Sequence, residues 1–443
     1  MVSSTLEKRG IREHLTAGEC LGVLFYKIIL DLCYYFFEYE FFSYTGFDFE
    51  FSTLKYVLCW ILYLAVYAMI RSRKSDICSL FVYVIYALSI VPFLVFYQFS
   101  NKCELWMLML QIVCLILMKW AFSVFPVNWK VPFKKISYRS FWLRISVHIL
   151  LIVYLGYTIM KYGLPRLDVM FSPDISDVRA EVSLSTLDNI IQTLICKIVC
   201  PLFIILSFKE KKYLSFAMGV LIQLYTYGVT GFKTYLFIPI VFFGLNMFPK
   251  LKIKRIVFGG LAALFCVLSL WTIISQNAYL YALLGDRVVF FPAIIKYSYF
   301  DFFSKNEFAY FSQSSIAGIF NITSNYTENI PNMIGRVYFD MPEMWTNTGF
   351  MADGYSNAGV IGVLSMSLLI AIVLSLTRNE IRKCSATTLR CLEALLLTYY
   401  VALNDGPAIS TLFSGGLIFV LFMVMFISFD DDQESKALLP KKY

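Results

Sequence analysis

The chain has 443 residues, 59% hydrophobic and 15% charged, with a formal charge of +8 and a mean hydropathy of +0.69. A soluble domain carries roughly 25% charged residues, so the composition excludes a soluble enzyme on an anchor and implies a polytopic integral membrane protein. The charge reads as a topology signal, and no nucleic-acid surface is expected.

Residues 1–20 are polar and basic. The apolar stretch after them carries Lys27, Asp31 and Glu38, with no small-residue cleavage site behind it, so no cleavable signal is expected. Since roughly 20 apolar residues cross the hydrocarbon core, spans are expected near 21–42, 54–70, 77–98, 105–125, 141–160, 190–208, 213–229, 235–248, 256–275, 356–376, 391–404 and 412–429. The expectation is an all-α protein of about 12 transmembrane helices, forming one integral membrane domain over 1–443. The eighth and eleventh spans are short. The first is the most polar and is expected to face the bundle.

Lysine and arginine set the orientation. With a cytoplasmic N-terminus, 25 of the 38 fall in cytoplasmic segments, 10 in external ones, and Lys27, Lys119 and Lys197 within spans. This bias puts both termini in the cytoplasm. Two external loops stand out, a medium one at 161–189 and a large one at 276–355. A loop as long as the second usually has work beyond connection. Within it, 288–303 is apolar but short, and it carries Pro292, Lys296 and Asp301. It reads either as a helix in the membrane interface, its aromatic face among the headgroups, or as a partly buried loop helix.

The eleven cysteines form no disulfide framework, since only Cys103 falls in an external loop. Cys196 and Cys200, four apart on a helix, read as core. No CxxC, HExxH or phosphate-loop motif is present, so neither a metal nor a cofactor is expected. His14 and His148 both lie toward the cytoplasmic side, which removes histidine from any external chemistry.

External cations are scarce under the positive-inside bias, so those near span ends call for a reason. Arg179, Lys233 and Arg287 either make weak surface ion pairs, such as Arg287 with Asp286 or Arg179 with Glu181, or together bind a phosphate or pyrophosphate at the membrane surface. Taken as a set they favour the anion site, with Arg336 as a further candidate. Among external carboxylates Asp353 is the candidate general base. It sits in a glycine-flanked turn just before the tenth span, where the other reading is a solvated or capping aspartate. Tyr355, Tyr326, Tyr338 and Trp345 offer rings for sugar faces, although interface anchoring places aromatics there equally well.

The run Gly349-Phe-Met-Ala-Asp-Gly-Tyr355-Ser-Asn-Ala-Gly359-Val-Ile-Gly362, the step Gly231-Phe-Lys233 and the pairing of a medium with a large late external loop resemble bacterial polysaccharide repeat-unit polymerases of the Wzy O-antigen type. The likeness covers most of the chain in layout and is specific in residues near 231–233, 285–287 and 340–362. It implies a metal-independent glycosyltransferase of glycosyltransferase-C-like architecture in the bacterial inner membrane, its large loop periplasmic. It further implies transfer of a growing glycan from undecaprenyl pyrophosphate to a new lipid-linked repeat unit, in O-antigen or capsule synthesis, with a chain-length regulator as a possible partner. Related ligases carry a histidine in the late loop where this chain has Asn347-Thr348, which points to polymerase over ligase. Two other classes stay open. A lipid-linked oligosaccharide flippase fits the charges within spans, and should show related halves and broken helices. A non-catalytic envelope-assembly subunit should tolerate loss of single cations.

Overall fold

The computed structural model describes residues 17–72, 76–125, 135–165, 185–247, 253–314, 317–382, 384 and 386–428. It is an all-α membrane protein. Among the described residues, nine helices are long and apolar enough to cross a membrane: Gly18–Phe41, Thr53–Ile70, Ile77–Phe99, Leu105–Val124, Phe141–Tyr162, Leu187–Lys209, Val257–Ser275, Phe350–Arg382 and Ala408–Phe426. The three other expected spans coincide with the helices Tyr213–Thr230, Lys233–Met247 and Ala386–Asp405. Leu54, Met160 and Ile274 are among many large apolar side chains left exposed. That is the surface expected of helices whose solvent is lipid.

The chain divides into two compact units. The first comprises Met1–Val127, Leu251–Arg378 and Tyr399–Ser410; the second comprises Asn128–Lys250, Asn379–Thr398 and Thr411–Tyr443.

In the first unit Ile77–Phe99 is the central helix, 94% buried over its apolar window. It starts in a capping box, where Asp76 accepts from the Ser79 backbone amide at 2.8 Å. A π-helical segment at Tyr86–Ile90 interrupts it just before Pro92. Proline donates no hydrogen bond, and its ring crowds the carbonyl one turn back. Widening the turn moves that carbonyl aside. Val91 then bonds Tyr86 O, and the freed Ala87 carbonyl accepts the Tyr26 hydroxyl at 2.9 Å. Helices Ala17–Cys33 and Ile253–Ser275 approach closely where Gly22 faces Gly259.

The second unit repeats the device. A π segment at Ile195–Val199 precedes Pro201, Cys200 bonds Ile195 O, and the freed Cys196 carbonyl accepts Gln223 Nε2 at 2.6 Å. Around it lies a core of Leu151, Tyr154, Cys196, Cys200, Ile204 and Ile222. Cys200 donates to Gly219 O at 3.2 Å, so this cysteine pair is packing. A parallel two-stranded pairing joins Ile136–Ser137 to Ile427–Ser428.

Segments that alternation assigns to one face meet in pairs within each unit. In the first, Arg378 Nε reaches Asp76 at 2.8 Å, and at the other face Lys102 Nζ reaches Gly46 O at 2.7 Å. In the second, Arg144 reaches Glu210 and Lys135 reaches Glu380.

The segment 288–303 departs from the first of its two readings. Helix Phe291–Lys305 does not lie with its aromatic face outward. Pro292, Ile295, Lys296, Tyr299, Phe300 and Phe303 are all buried in the first unit. Its rings have protein partners, Phe300 meeting Phe93 and Trp106, and Tyr297 meeting Phe96. Its ammonium has partners as well, which makes its burial tolerable.

Candidate functional site in the first unit

The late loop is a folded part of the first unit. After a π segment at Ala282–Phe290, which like the other two ends two residues before a proline, it continues through helices Phe291–Lys305, Ala317–Phe320 and Ile330–Phe339. It then runs through Trp345–Gly349 into the helix starting at Phe350.

Two charged side chains are carried inward along this route. Lys296 is 1% exposed. Its Nζ donates to Ser89 Oγ at 2.9 Å, on the π segment of the central helix, and to Asn404 Oδ1 at 2.8 Å. Asn404 Nδ2 in turn donates to Asp405 Oδ1 at 2.7 Å. A buried ammonium, an amide and a carboxylate thus form one chain, and electrostatic attraction from Asp405 compensates part of the burial of Lys296.

Asp353 lies close by. Gly349 abuts the Asn404 carbonyl so tightly that an added Cβ would come to 2.0 Å from it, and the Ala408 backbone amide hydrogen-bonds the Asp353 carboxylate. Asn357 Nδ2 bonds the Asp353 carbonyl at 2.8 Å and its Oδ1 at 3.3 Å. Asp353 and Asp405 are both partly exposed, whereas Lys296 and Asn404 are buried beneath. A fixed cation and two half-buried carboxylates thus lie near one another in the first unit.

The flanking glycines suggest a turn at Asp353. It lies instead inside helix Phe350–Arg382, which breaks at Ala358 and Gly359, the latter with φ of 59°. The break folds the first two turns back on the rest of the helix. An added Cβ on Gly362 would come to 1.9 Å from Gly354 O. Only glycines allow backbones to meet at this range. Loop residues cap the C-terminal end of the short arm, Ala309 N bonding Ser356 O at 2.8 Å and Tyr310 N bonding Asn357 O at 3.1 Å.

The other expected residues are more dispersed. Arg179 lies outside the described residues, as do 166–184 of the medium loop. Lys233 opens helix Lys233–Met247 in the second unit; its side chain is outside the described set. Arg287 belongs to the first unit and is exposed, and among the described residues it makes no ion pair with Asp286. Asp286 itself is buried against Glu38, and burial pushes its carboxyl up to about 6, opposed by the Glu38 hydrogen bond and by Arg287. Arg336 is already engaged with Glu328 at 2.7 Å, both side chains substantially exposed. Tyr355 is 7% exposed and packs against Trp106, Phe300 and Phe308, so its ring acts as a packing element. Trp345, which precedes the helix starting at Phe350, is 56% exposed.

Sequence reasoning passed over Lys296 and the pair Asn404-Asp405 as site residues. The signals were present: a lysine inside an apolar stretch, and an Asn-Asp-Gly-Pro run interrupting two apolar ones. Among the described residues, no group of three or more histidine, cysteine or acidic side chains is placed to hold a metal. Comparison with protein families, curated proteins and solved structures finds no match to this chain.

Proposed function

We propose that the protein is a polysaccharide polymerase acting on lipid-linked repeat units, the reading its sequence resemblance favours. The observation that carries it is the path of the late loop, which brings Lys296 and Asp353 together with Asn404 and Asp405 inside one unit. A connecting loop has no need to carry an ammonium and a carboxylate into a membrane bundle, where ionisable groups are costly and mark function.

In this reading a hydroxyl of the incoming unit's terminal sugar attacks the anomeric carbon of the growing glycan. The bond from that carbon to pyrophosphate breaks, and undecaprenyl pyrophosphate leaves. Asp353 accepts the hydroxyl proton. Arg287 offsets the charge that develops on the leaving pyrophosphate, and Lys296 holds Asn404 and Asp405 in place. Fixed cations supply the electrostatic part of such a transfer. The basic bias orients the chain with both termini in the cytoplasm and the late loop periplasmic, across a bacterial inner membrane with about twelve spans.

One observation favours a flippase instead: the break at Ala358–Gly359 resembles the discontinuous helices of transporters. The buried trio Lys27, Asp31 and Gln98, with Lys27 Nζ at 2.8 Å from Gln98 Oε1, adds to it. Incubating the purified protein with a synthetic polyprenyl-pyrophosphate repeat unit in chelator separates the two. The polymerase forms a ladder of longer glycans. Translocation across vesicles without a ladder identifies the flippase.

A further inference from the structure

The first unit also buries an acid pair that the proposed chemistry does not use. Glu38 ends a π-helical segment at Tyr34–Glu38, and Asp286 lies in the π segment Ala282–Phe290. Glu38 is 0% exposed and Asp286 5%. Their carboxyl groups lie within hydrogen-bonding reach of each other. The other π segments each end two residues before a proline. The turn at Tyr34–Glu38 lacks that cause, since the next proline in the chain is Pro92. Isolated π turns gather at functional sites.

The carboxyl oxygens of the pair are not equivalent. Glu38 Oε1 accepts the Tyr281 hydroxyl at 2.8 Å. Glu38 Oε2 and Asp286 Oδ1 are buried with no hydrogen-bond partner. Two acceptors without a donor are costly in an interior. One proton removes both defects: carried on Glu38 Oε2, it is donated to Asp286 Oδ1, while Oε1 keeps its bond from Tyr281. Two carboxylates this close also oppose double ionisation. Burial raises the Asp286 carboxyl to about 6, so above that pH the pair is left with one proton and not two. The ionisable groups facing the pair are Tyr281, Tyr34, Cys33 and Arg287. Arg287 is the one cation among them and is exposed. Phe37, Phe42 and Phe265 close around the Tyr281 ring.

We propose that Glu38 and Asp286 form a proton-binding site, which holds a single proton between Glu38 Oε2 and Asp286 Oδ1 inside the first unit at neutral pH. The proton joins the two π segments, and its loss would set two charges against each other at their contact. A metal cation suits the pair less well, because the Tyr281 hydroxyl already directs its own proton at Glu38.

Infrared spectra of the full-length protein at about pH 8, well above the Asp286 step, test the proposal. A protonated carboxyl has a C=O stretch that a carboxylate lacks. Glu38→Gln should lose one such band relative to wild type. Tyr281→Phe should keep the band and move it to higher frequency, because the Glu38 carbonyl oxygen loses its donor. Equal carboxyl intensity in wild type and Glu38→Gln would overturn the proposal. So would a band that stays in place in Tyr281→Phe, and this variant gives the answer alone should Glu38→Gln not fold. A melting temperature that sodium chloride raises over choline chloride in wild type, and not in Glu38→Gln, would also overturn it by making the pair a metal-cation site. None of these readouts depends on glycan chemistry.

Discussion

Lys296 donates to the Asn404 side-chain carbonyl at 2.8 Å, joining residues 108 apart in sequence within the interior of one unit. Replacing Lys296 by methionine keeps the stem and removes the charge; it leaves Asn404 and Asp405 without their cation, which should lower stability by about 3 kcal/mol or more, so folding is measured alongside activity. Glycan elongation should fall by about 10²-fold or more, the scale of losing one preorganised electrostatic group. Elongation by purified Lys296→Met near the wild-type rate would show that the ammonium is structural only.

Arg287 and Arg336 should differ. Arg287 is exposed and makes no ion pair with its neighbour Asp286 among the described residues, whereas Arg336 is tied to Glu328 at 2.7 Å. Arg287→Ala should give a folded protein that no longer makes long chains. Arg336→Ala should cost less than about 1 kcal/mol of stability and keep most of the chain length. Chain-length distributions from cells carrying each variant check this, and matching profiles for Arg287→Ala and wild type would remove Arg287 from the site.

Asp286 gives a pH dependence. Burial raises its carboxyl from 3.8 to about 6. Because the folded state favours the protonated form, its contribution to stability is intact below about pH 4 and is lost as pH rises through about 6. Full ionisation then costs about 3 kcal/mol. Asp286→Asn should therefore melt higher than wild type at pH 8, with the gap closing toward pH 4. Melting curves across that range suffice, and a gap that widens on acidification contradicts the sign.

Gly362 faces Gly354 across the break in helix Phe350–Arg382. Gly362→Ala should cost about 3 kcal/mol or more, beyond ordinary overpacking, since the neighbour it meets is backbone. Gly156, with nothing within 4 Å of an added Cβ, is the control, and Gly156→Ala should be neutral to slightly stabilising. Equal melting temperatures for the two variants would mean that the helix does not fold back as described.

Much of this architecture can be read from local pattern. The apolar runs mark the helices because backbone groups in lipid must bond within their own segment. The π segments before Pro92, Pro201 and Pro292 follow from one missing donor each. The site is harder to see. Asp353 reads as a turn residue because glycines flank it, yet Gly354 is there for contact with Gly362, a close approach that no local pattern reveals. Lys296 leaves 288–303 open between an interfacial and a partly buried helix, because its partners Ser89 and Asn404 lie 207 and 108 residues away. Burial of a charge is decided by such partners, and a single sequence does not pair them.

The central claim is that Asp353, recessed beside Asn404 and Ala408, takes the proton of the attacking hydroxyl. The most direct measurement is glycan extension by purified Asp353→Asn protein on a synthetic polyprenyl-pyrophosphate repeat unit, with folding and donor binding measured alongside. The account predicts a folded protein that binds the donor as wild type does and builds no ladder. Wild-type ladders from Asp353→Asn would contradict it.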